Sequence, residues 1–438
     1  MDLTNNTVEV RYSGSTVVDK ISNIENIVAT SGDDTLYGDD ENNTLKGLLG
    51  DDILEGGKGD DYLDGGTGGS DTAYYNQATS GVNVDLGIDN IAQAIGGEQG
   101  SDTLVSIENV IGSQYNDTFK GNNAASNIFD GGYVLSTGVE NINDENDTVD
   151  YSSLTNATDK IVVDLSNTTT ANVAVTVTGT LQNPDTLRNI ENIIGSFGDD
   201  TFTGNSDSNK LEGKAGDDTF LITSASVGAE ADIIDGGANT TVGDTVDFSG
   251  VTNTNYFVDV NLGSQDLLLK DQSNSDVVVR DDTVLNIENI TGTQNEDRII
   301  GDSSKNILKG EAGTDHIEGG AGNDIIYGGD NTDNATTSTT YEFLDGGADD
   351  DTIYGGAGND SIYGGSGIGE DSLYGEAGDD IIRGGSGIDV IDGGADDDTL
   401  SGDAGEDTLY GGLGDDEISG GTEGDVIYGD DSLNADVA

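Results

Sequence analysis

The chain has 438 residues, of which 15 are basic and 86 acidic, so its formal net charge is −71. This charge excludes nucleic acid as a partner, because nucleic acid binds to basic patches. No run of about 18 apolar residues is present, which argues against insertion into a membrane. The chain has no cysteine, so it can form neither disulfide bonds nor thiolate metal sites.

The first segment, residues 1–80, consists of a connector followed by a short cassette of nine-residue repeats over 31–66. Its opening residues, MDLTNNTVEV, include neither a charged nor an apolar region, and we expect no cleavable signal peptide there. The connector ends with Asn-Ile-Glu-Asn, and this tetrapeptide or the variant Ser-Ile-Glu-Asn occurs once in each segment, ending at Asn26, Asn109, Asn192 and Asn289. Since the glutamates are far apart in sequence, we interpret Glu25, Glu108, Glu191 and Glu288 as structural rather than acid–base residues.

Two further segments, 81–158 and 159–255, repeat this plan. Each opens with a stretch in which apolar and polar residues alternate, GVNVDLG in the second segment and KIVVDLS in the third. This alternation is typical of a β-strand. The second segment continues into a degenerate cassette and the third into a clearer one.

The fourth segment, 256–438, begins with the strand-like YFVDVNLG and continues into a long array. Near its end, GGSGIDVID (384–392) and GGADDDTLS (393–401) belong to an unbroken run that reaches residue 428. Aspartate occupies the sixth position and an aliphatic residue the eighth. Tyrosine is frequent at the ninth, and we favour cross-strand packing over sugar stacking for Tyr327, Tyr354, Tyr363, Tyr374, Tyr410 and Tyr428.

The nine-residue pattern GGxGxDxUx predicts a fold. Glycines at positions 1, 2 and 4 permit the positive-φ turns that other residues resist, and the triplet around position 8 forms a short strand with one inward aliphatic side chain. Successive turns alternate sides, so two nonapeptides form one coil of 18 residues. We therefore predict an all-β chain without substantial helix, folded as a right-handed parallel β-roll, or β-solenoid.

The position-6 aspartates predict calcium sites. Turns 18 residues apart lie on the same edge, where carboxylate and carbonyl oxygens of neighbouring coils meet. Ca²⁺ accepts six to eight such oxygens, whereas Mg²⁺ prefers fewer protein ligands, and a donor set without His or Cys does not favour zinc or copper. One buried aliphatic residue in nine stabilises a coil weakly, so we expect calcium binding to drive folding.

The candidate calcium ligands are the aspartates at position 6. They are Asp34, Asp52, Asp61, Asp200, Asp218, Asp297, Asp315, Asp324, Asp351, Asp360, Asp371, Asp380, Asp389, Asp398, Asp407, Asp416 and Asp425. Asn43, Asn209 and Asn306 replace aspartate, which should weaken their sites, and two extra residues in 364–374 should displace Asp371. The insertion 330–341 resembles an EF-hand calcium loop in part, but Ala335 stands where that loop requires glycine. We therefore expect no EF-hand.

The repeats GGAGNDIIY (319–327) and GGAGNDSIY (355–363) resemble those of the repeats-in-toxin (RTX), or hemolysin-type, family. This motif is a known signature of calcium-binding β-helices. The Asn-Ile-Glu-Asn segments are similar to those that join cassettes in long RTX proteins and adhesins. The resemblance implies export by the type I secretion machinery, passage through the cytosol unfolded, and folding outside the cell in millimolar calcium.

The sequence contains no known catalytic motif, since HExxH, GxSxG and a P-loop are all absent. We therefore expect a non-enzymatic calcium-binding region of a secreted or cell-surface bacterial protein, structural or adhesive, whose extracellular partner the sequence does not identify. One alternative is an accessory C-terminal module of a secreted enzyme, such as a hydrolase or alginate epimerase. Another is a protein that assembles when calcium is added, such as a surface-layer subunit.

Overall fold

A computed structural model describes residues 7–12, 15–20, 24–121, 126–132, 146–167, 173–178, 184–224, 227, 230–330 and 341–430. These residues include 42 β-strands, two single-turn 3₁₀ helices (Leu165–Asn167 and Gln272–Asn274) and no α-helix. The all-β fold class is therefore confirmed. No helix in the described part is long and apolar enough to cross a membrane. The EF-hand-like stretch falls on 331–340, outside the described residues.

The chain forms two compact units, the first Met1–Gly204 with Asn209–Ala215 and the second Asn205–Ser208 with Gly216–Ala438. The strands of the first unit are β1 Thr7–Tyr12, β2 Ser15–Lys20, β3 Asn26–Val28, β4 Thr35–Tyr37, β5 Thr44–Leu48, β6 Ile53–Glu55, β7 Tyr62–Gly66, β8 Thr72–Tyr74, β9 Asn83–Asp85, β10 Ala92–Ala94, β11 Ser101–Val105, β12 Asn109–Ile111, β13 Thr118–Lys120, β14 Ile128–Asp130, β15 Thr148–Asp150, β16 Lys160–Asp164, β17 Val173–Thr178, β18 Asp185–Arg188, β19 Asn192–Ile194, β20 Thr201–Thr203 and β21 Lys210–Glu212.

The second unit contains the long array. Its strands are β22 Thr219–Thr223, β23 Ile233–Asp235, β24 Thr245–Gly250, β25 Tyr256–Asn261, β26 Asp266–Asp271, β27 Val277–Leu285, β28 Asn289–Thr291, β29 Arg298–Ile300, β30 Ile307–Glu311, β31 His316–Ala321, β32 Ile325–Asp330, β33 Glu342–Ala348, β34 Thr352–Ala357, β35 Asp360–Gly365, β36 Ser372–Ala377, β37 Ile381–Ser386, β38 Val390–Ala395, β39 Thr399–Ala404, β40 Thr408–Leu413, β41 Glu417–Ser419 and β42 Val426–Asp430.

The register of the strands shows the coil length. In the array each strand pairs in parallel with the strand two places along the chain, so that β37 lies beside β39 and β38 beside β40. Ile382 is opposite Leu400 and Ile391 is opposite Leu409. Both pairs are 18 residues apart, and every described strand pairing across 292–430 is parallel. The parallel β-solenoid and its 18-residue coil are thereby confirmed.

The core is a column of aliphatic side chains contributed by position 8 of successive repeats. Leu373, Ile382, Ile391, Leu400 and Leu409 are all at most 1% exposed. Successive side chains of a strand point to opposite faces, so the residues on either side of position 8 face outward. Each coil buries little more than two such side chains, which leaves the interior narrow.

Antiparallel strands interrupt the coils near the connectors. The three alternating stretches of the sequence form β9, β16 and β25, and each pairs in parallel with the first strand of the cassette that follows. Two of them also begin antiparallel excursions, β16–β17–β18 in the first unit and β25–β26–β27 in the second. The sequence predicted the leading strands but not the antiparallel pairings.

Candidate calcium sites

The aspartates at position 6 lie inside the coil rather than on the surface of the turn. Asp389 and Asp407 are fully buried and Asp398 is 2% exposed. Each directly precedes a strand, and the inward-facing residue of that strand follows two positions later. Because side chains alternate with a period of two, the aspartate points to the same side as the aliphatic residue. The turn therefore presents its carboxylate to the interior.

These buried aspartates form a ladder along each edge of the solenoid. The backbone N–H of Asp380 donates to Oδ1 of Asp398 (2.9 Å), and that of Asp398 donates to Oδ1 of Asp416 (3.1 Å). The other edge repeats this with Asp389 donating to Asp407 (2.9 Å) and Asp407 to Asp425 (3.2 Å). The predicted same-edge pairs are thus neighbours, and one oxygen of each carboxylate is bound to the protein.

The second oxygen, Oδ2, is buried without a protein donor in most of the ladder. The aspartates in this condition are Asp52, Asp61, Asp244, Asp315, Asp324, Asp351, Asp380, Asp389, Asp398, Asp407 and Asp416. Burial is the main cause that raises the pKa of Asp380 to about 9, of Asp351 to about 8 and of Asp398 to about 7. A buried acceptor without a donor is costly, so these oxygens require a cation or a proton.

A main-chain carbonyl oxygen of the next coil lies close to each of several of these Oδ2 atoms. A Cβ placed on Gly393, at position 1, would lie 2.4 Å from Oδ2 of Asp398 and 2.6 Å from the carbonyl oxygen of Gly411. The same arrangement occurs at Gly384, where the two oxygens are those of Asp389 (2.4 Å) and Gly402 (2.9 Å). Two oxygens that both carry negative charge repel each other unless a cation lies near them.

Position 1 is therefore glycine for a different reason than the sequence suggested. Positive φ occurs at position 2, as in Gly394 (108°), and at position 4, as in Gly414 (147°), but not at Gly393. The carboxylate and the carbonyl leave no room for a side chain at position 1. The prediction that all three glycines adopt positive φ was wrong for this position.

The donor set fits calcium. The available ligands are carboxylate and carbonyl oxygens, which Ca²⁺ takes in flexible geometry. In the part of the chain that the structure describes, no three acidic, His or Cys side chains come close enough to hold a metal by themselves. Aspartates such as Asp398 would therefore hold a calcium ion only together with main-chain carbonyls, as the repeated glycine backbone allows.

In three of the predicted ligands, Oδ2 already has a hydrogen-bond donor from the protein. Each of the three is the first position-6 aspartate of its cassette. Oδ2 of Asp34 accepts from both the backbone N–H and the hydroxyl of Thr30. At Asp200 and Asp297 the backbone N–H of Ser196 or Thr293 donates to Oδ2, and the hydroxyl of the same residue donates to Oδ1. A Ser or Thr four residues earlier is the sequence signal, and it distinguishes these aspartates from those of the array, whose Oδ2 atoms have no protein donor.

The asparagines at position 6 are satisfied by the protein. Nδ2 of Asn306 donates to the carbonyl of Glu288 (2.8 Å), and its Oδ1 accepts from the backbone N–H of Asp302 (2.9 Å). Nδ2 of Asn209 likewise donates to the carbonyl of Glu191 (2.9 Å). An aspartate could not donate there, which explains the amide at these positions.

The connector glutamates belong to the same ladder. Oε2 of Glu108 accepts from the backbone N–H of Asp71 (2.9 Å), Oε2 of Glu191 from Asp147 (2.9 Å) and Oε2 of Glu288 from Asp244 (3.0 Å). A glutamate thus takes the place of an aspartate on the next coil. This confirms the structural interpretation of Glu108, Glu191 and Glu288.

Asp371 is not displaced by the two extra residues. Its Oδ1 accepts from the backbone N–H of Asp351 (2.9 Å), and its own N–H donates to Asp389 (2.9 Å). The extra residues enlarge the turn instead, where Ile368 is 89% exposed. The prediction of displacement was wrong because an outward bulge leaves the register of the strands intact.

The ladder also includes aspartates that the sequence analysis did not predict. They are Asp71, Asp102, Asp147, Asp185, Asp232, Asp244 and Asp282, each of them buried and joined to the backbone N–H or side chain of a neighbouring coil. All but Asp232 are followed by threonine and a small or aliphatic residue. This reproduces positions 6 to 8, but the glycines before them are missing or differently spaced, which is why a search for complete nonapeptides missed these aspartates.

The position-9 tyrosines stack on one another along a sheet. The ring centroids of Tyr327 and Tyr354 are 5.1 Å apart and those of Tyr354 and Tyr374 are 5.0 Å apart, with interplanar angles of 7° and 9°. Tyr410 and Tyr428 form a similar pair at 4.9 Å. The faces of an inner ring are therefore covered by other rings, which supports cross-strand packing rather than sugar stacking.

Fold and site together define a calcium-binding parallel β-solenoid. The model of the RTX calcium-binding nonapeptide repeat, four copies, matches residues 22–71, 188–220, 287–335 and 342–435, more than half of the chain. The chain therefore belongs to this family of calcium-binding repeats, which is typical of secreted bacterial proteins, and it binds multiple calcium ions.

One solved structure to which the chain is similar is that of the extracellular lipase LipA from Serratia marcescens. The two are 18% identical with a TM-score of 0.18, over 55% of this chain and 37% of the lipase chain. The chain thus covers little more than a third of the length of the lipase. No curated protein matches the chain.

Proposed function

We propose that this chain is a non-enzymatic structural or adhesive region of a secreted or cell-surface bacterial protein and that it folds when calcium binds. The observation that carries the proposal is the row of buried Oδ2 atoms that have no protein donor, which in the array lie close to a carbonyl of the next coil. Such a row destabilises the folded chain until cations bind. Metal binding then contributes directly to the free energy of folding.

The calcium sites proposed here are densest over 375–428. Five successive position-6 aspartates of this stretch have an Oδ2 without a donor, namely Asp380, Asp389, Asp398, Asp407 and Asp416. An aspartate in the middle of such a run contacts the coil before it and the coil after it, so each can belong to two sites. Pairing the loops in this way gives on the order of ten calcium ions for the whole chain.

Circular dichroism with and without a chelator tests the proposal. We expect most of the β-sheet signal of the chain to be lost in EDTA and to return when millimolar calcium is added in excess. Metal analysis of the chelated sample is the control, since retained ions would mask the effect. A β-sheet signal that is unchanged in a sample shown to hold no metal contradicts calcium-driven folding.

Export by the type I secretion machinery is the second part of the proposal. A folded calcium-bound solenoid is too wide for a narrow export channel, whereas a chain that is unfolded in calcium-poor cytosol can be threaded. The RTX family supports the type I machinery as the exporter, with the calcium-dependent folding then occurring outside the cell.

A further inference from the structure

Arg280 is the one basic side chain that is buried among the residues whose burial the structure describes, with 2% of its surface exposed. It lies in β27, where alternation turns Arg280, Asp282 and Val284 inward. In the array the residues before a position-6 aspartate form a glycine turn. Here a strand, whose register with β26 shifts just before Arg280, replaces the turn, so a long side chain two residues before the aspartate enters the coil.

The guanidinium group bridges two ladder aspartates of neighbouring coils. The backbone N–H of Asp232 donates to Oδ1 of Asp282 (2.7 Å), which is the same ladder bond as in the array. Nη2 of Arg280 donates to Oδ2 of Asp232, and Nε donates to Oδ2 of Asp282. Both aspartates are 1% exposed. The arginine thus binds the same oxygens that have no donor elsewhere in the ladder.

Two other coils next to connectors use an uncharged donor at the equivalent place. The hydroxyl of Tyr75 donates to Oδ2 of Asp102 (3.1 Å), while Oδ2 of Asp61 on the neighbouring coil has no donor. The hydroxyl of Tyr151 donates to Oδ2 of Asp185 (3.2 Å). A tyrosine binds one oxygen without changing the charge, whereas Arg280 binds two and neutralises part of their charge.

We propose that the Asp232–Asp282 pair is a divalent-cation site that the chain fills with the guanidinium of Arg280, so that this coil folds without calcium. The inference rests on the proposed function, in which calcium binds the equivalent oxygens of the array. Arginine suits the role because its planar donors reach two carboxylates at once and it stays charged when buried. Removal of the arginine leaves this carboxylate pair without a donor, and a calcium ion bound there would take its other ligands from main-chain carbonyls of the strands and from water, because the glycine turn of the array is absent.

Hydrogen–deuterium exchange of the full chain, in EGTA and in millimolar calcium, tests the inference. We expect the amides of β23 and of 283–285 to be protected in EGTA, and those of β39 to be protected only with calcium. In Arg280→Met, exchange of the first two segments in EGTA should become faster on the order of a hundredfold, because an uncompensated buried charge remains. Calcium should restore their protection, and calorimetry should count one more ion than in the unmodified chain.

Two further variants make the test specific. Arg383→Met removes an exposed arginine of the array and should change neither the exchange in β23 nor the number of ions. Arg280→Met combined with Asp232→Asn and Asp282→Asn removes the buried charges, so it should keep its protection in EGTA and bind no additional ion.

Three results would overturn the inference, two of them in Arg280→Met and one in the triple variant. One is unchanged protection of β23 in EGTA in Arg280→Met, and the other is protection that calcium restores in β39 but not in β23 of the same variant. An additional ion in the triple variant would also contradict it, because the site would then lie elsewhere. Failure of calcium to protect β39 in the unmodified chain contradicts the proposed function instead, so the two failures are distinguishable.

Discussion

The two oxygens of an aspartate in the array have different environments. In Asp398, Oδ1 accepts the backbone N–H of Asp380 from the preceding coil, and Oδ2 has no protein donor. The first bond fixes the register between coils in the absence of metal. The second oxygen makes the aspartate a ligand, so the side chain serves both packing and binding.

Replacement of a central aspartate should therefore affect two ions. In Asp398→Ala we expect the two calcium sites that share this side chain to weaken, so that about two fewer ions are bound at limiting calcium than in the unmodified chain. Equilibrium dialysis with calcium analysis measures the number. Asn43→Ala is the matched control, because Oδ1 of Asn43 already accepts from Asp39 (2.7 Å), and it should lose almost none. Equal losses of bound calcium in the two variants would contradict the assignment of calcium binding to the array aspartates.

Most of the ladder aspartates could be located from the sequence, but the hydrogen bonds that their oxygens accept could not. The nonapeptide spacing identified Asp398 and its neighbours on the correct edges. It did not show that Thr293 donates hydrogen bonds to both carboxylate oxygens of Asp297. Those bonds depend on the conformation of a side chain four residues earlier in the chain. Nor did it show that Asp102 belongs to the ladder, since the partner coil lies 41 residues away.

At the scale of the strand, the tyrosine stack adds a second contact between coils. Tyr354 lies between Tyr327 and Tyr374 on neighbouring strands of one sheet. Stacked aromatic pairs contribute about 0.5–1.5 kcal/mol each beyond the area that they bury. The stacked rings lie on the outer face of the sheet, whereas the candidate calcium ligands, such as Asp398, lie at the turns.

Loss of a central ring should lower stability without changing calcium binding. In Tyr354→Ala we expect the thermal midpoint in saturating calcium to fall by about 2–6 °C, because two ring contacts are lost. Tyr115→Ala, which removes an exposed ring outside the stack, is the control and should leave the midpoint nearly unchanged. Differential scanning calorimetry gives the midpoints, and dialysis the ion counts. A reduced ion count in Tyr354→Ala would contradict the separation of stack and sites.

The strands of the coils were predictable where the repeat is complete, since nine residues with one inward aliphatic side chain define both a strand and its register. Antiparallel strands such as β26 and β27 were not. Their sequence alternates as any exposed hairpin does, and only the contact between Leu269 and the core shows where they pack. The position of Arg280 inside the coil depends on that excursion and was equally hidden.

For the molecule as a whole, two explanations of calcium dependence have to be separated. A net charge of −71 repels itself, and any cation would reduce that repulsion by screening. The buried oxygens of the ladder are a different cause, since they lie out of reach of mobile salt. Screening acts between solvent-exposed charges over a Debye length of about 8–10 Å at moderate ionic strength.

Sodium chloride and magnesium should therefore not restore the fold that calcium restores. In EGTA with sodium chloride at about 1 M, where exposed charges are screened within about 3 Å, we expect the circular dichroism spectrum to remain that of the unfolded chain. Magnesium at the concentration that restores the fold with calcium should also fail, because Mg²⁺ gives up its water reluctantly and demands octahedral geometry. Calcium added to either sample is the control for irreversible unfolding. A β-sheet spectrum in salt alone would mean that surface repulsion, and not the buried row from Asp380 to Asp416, makes the chain depend on cations.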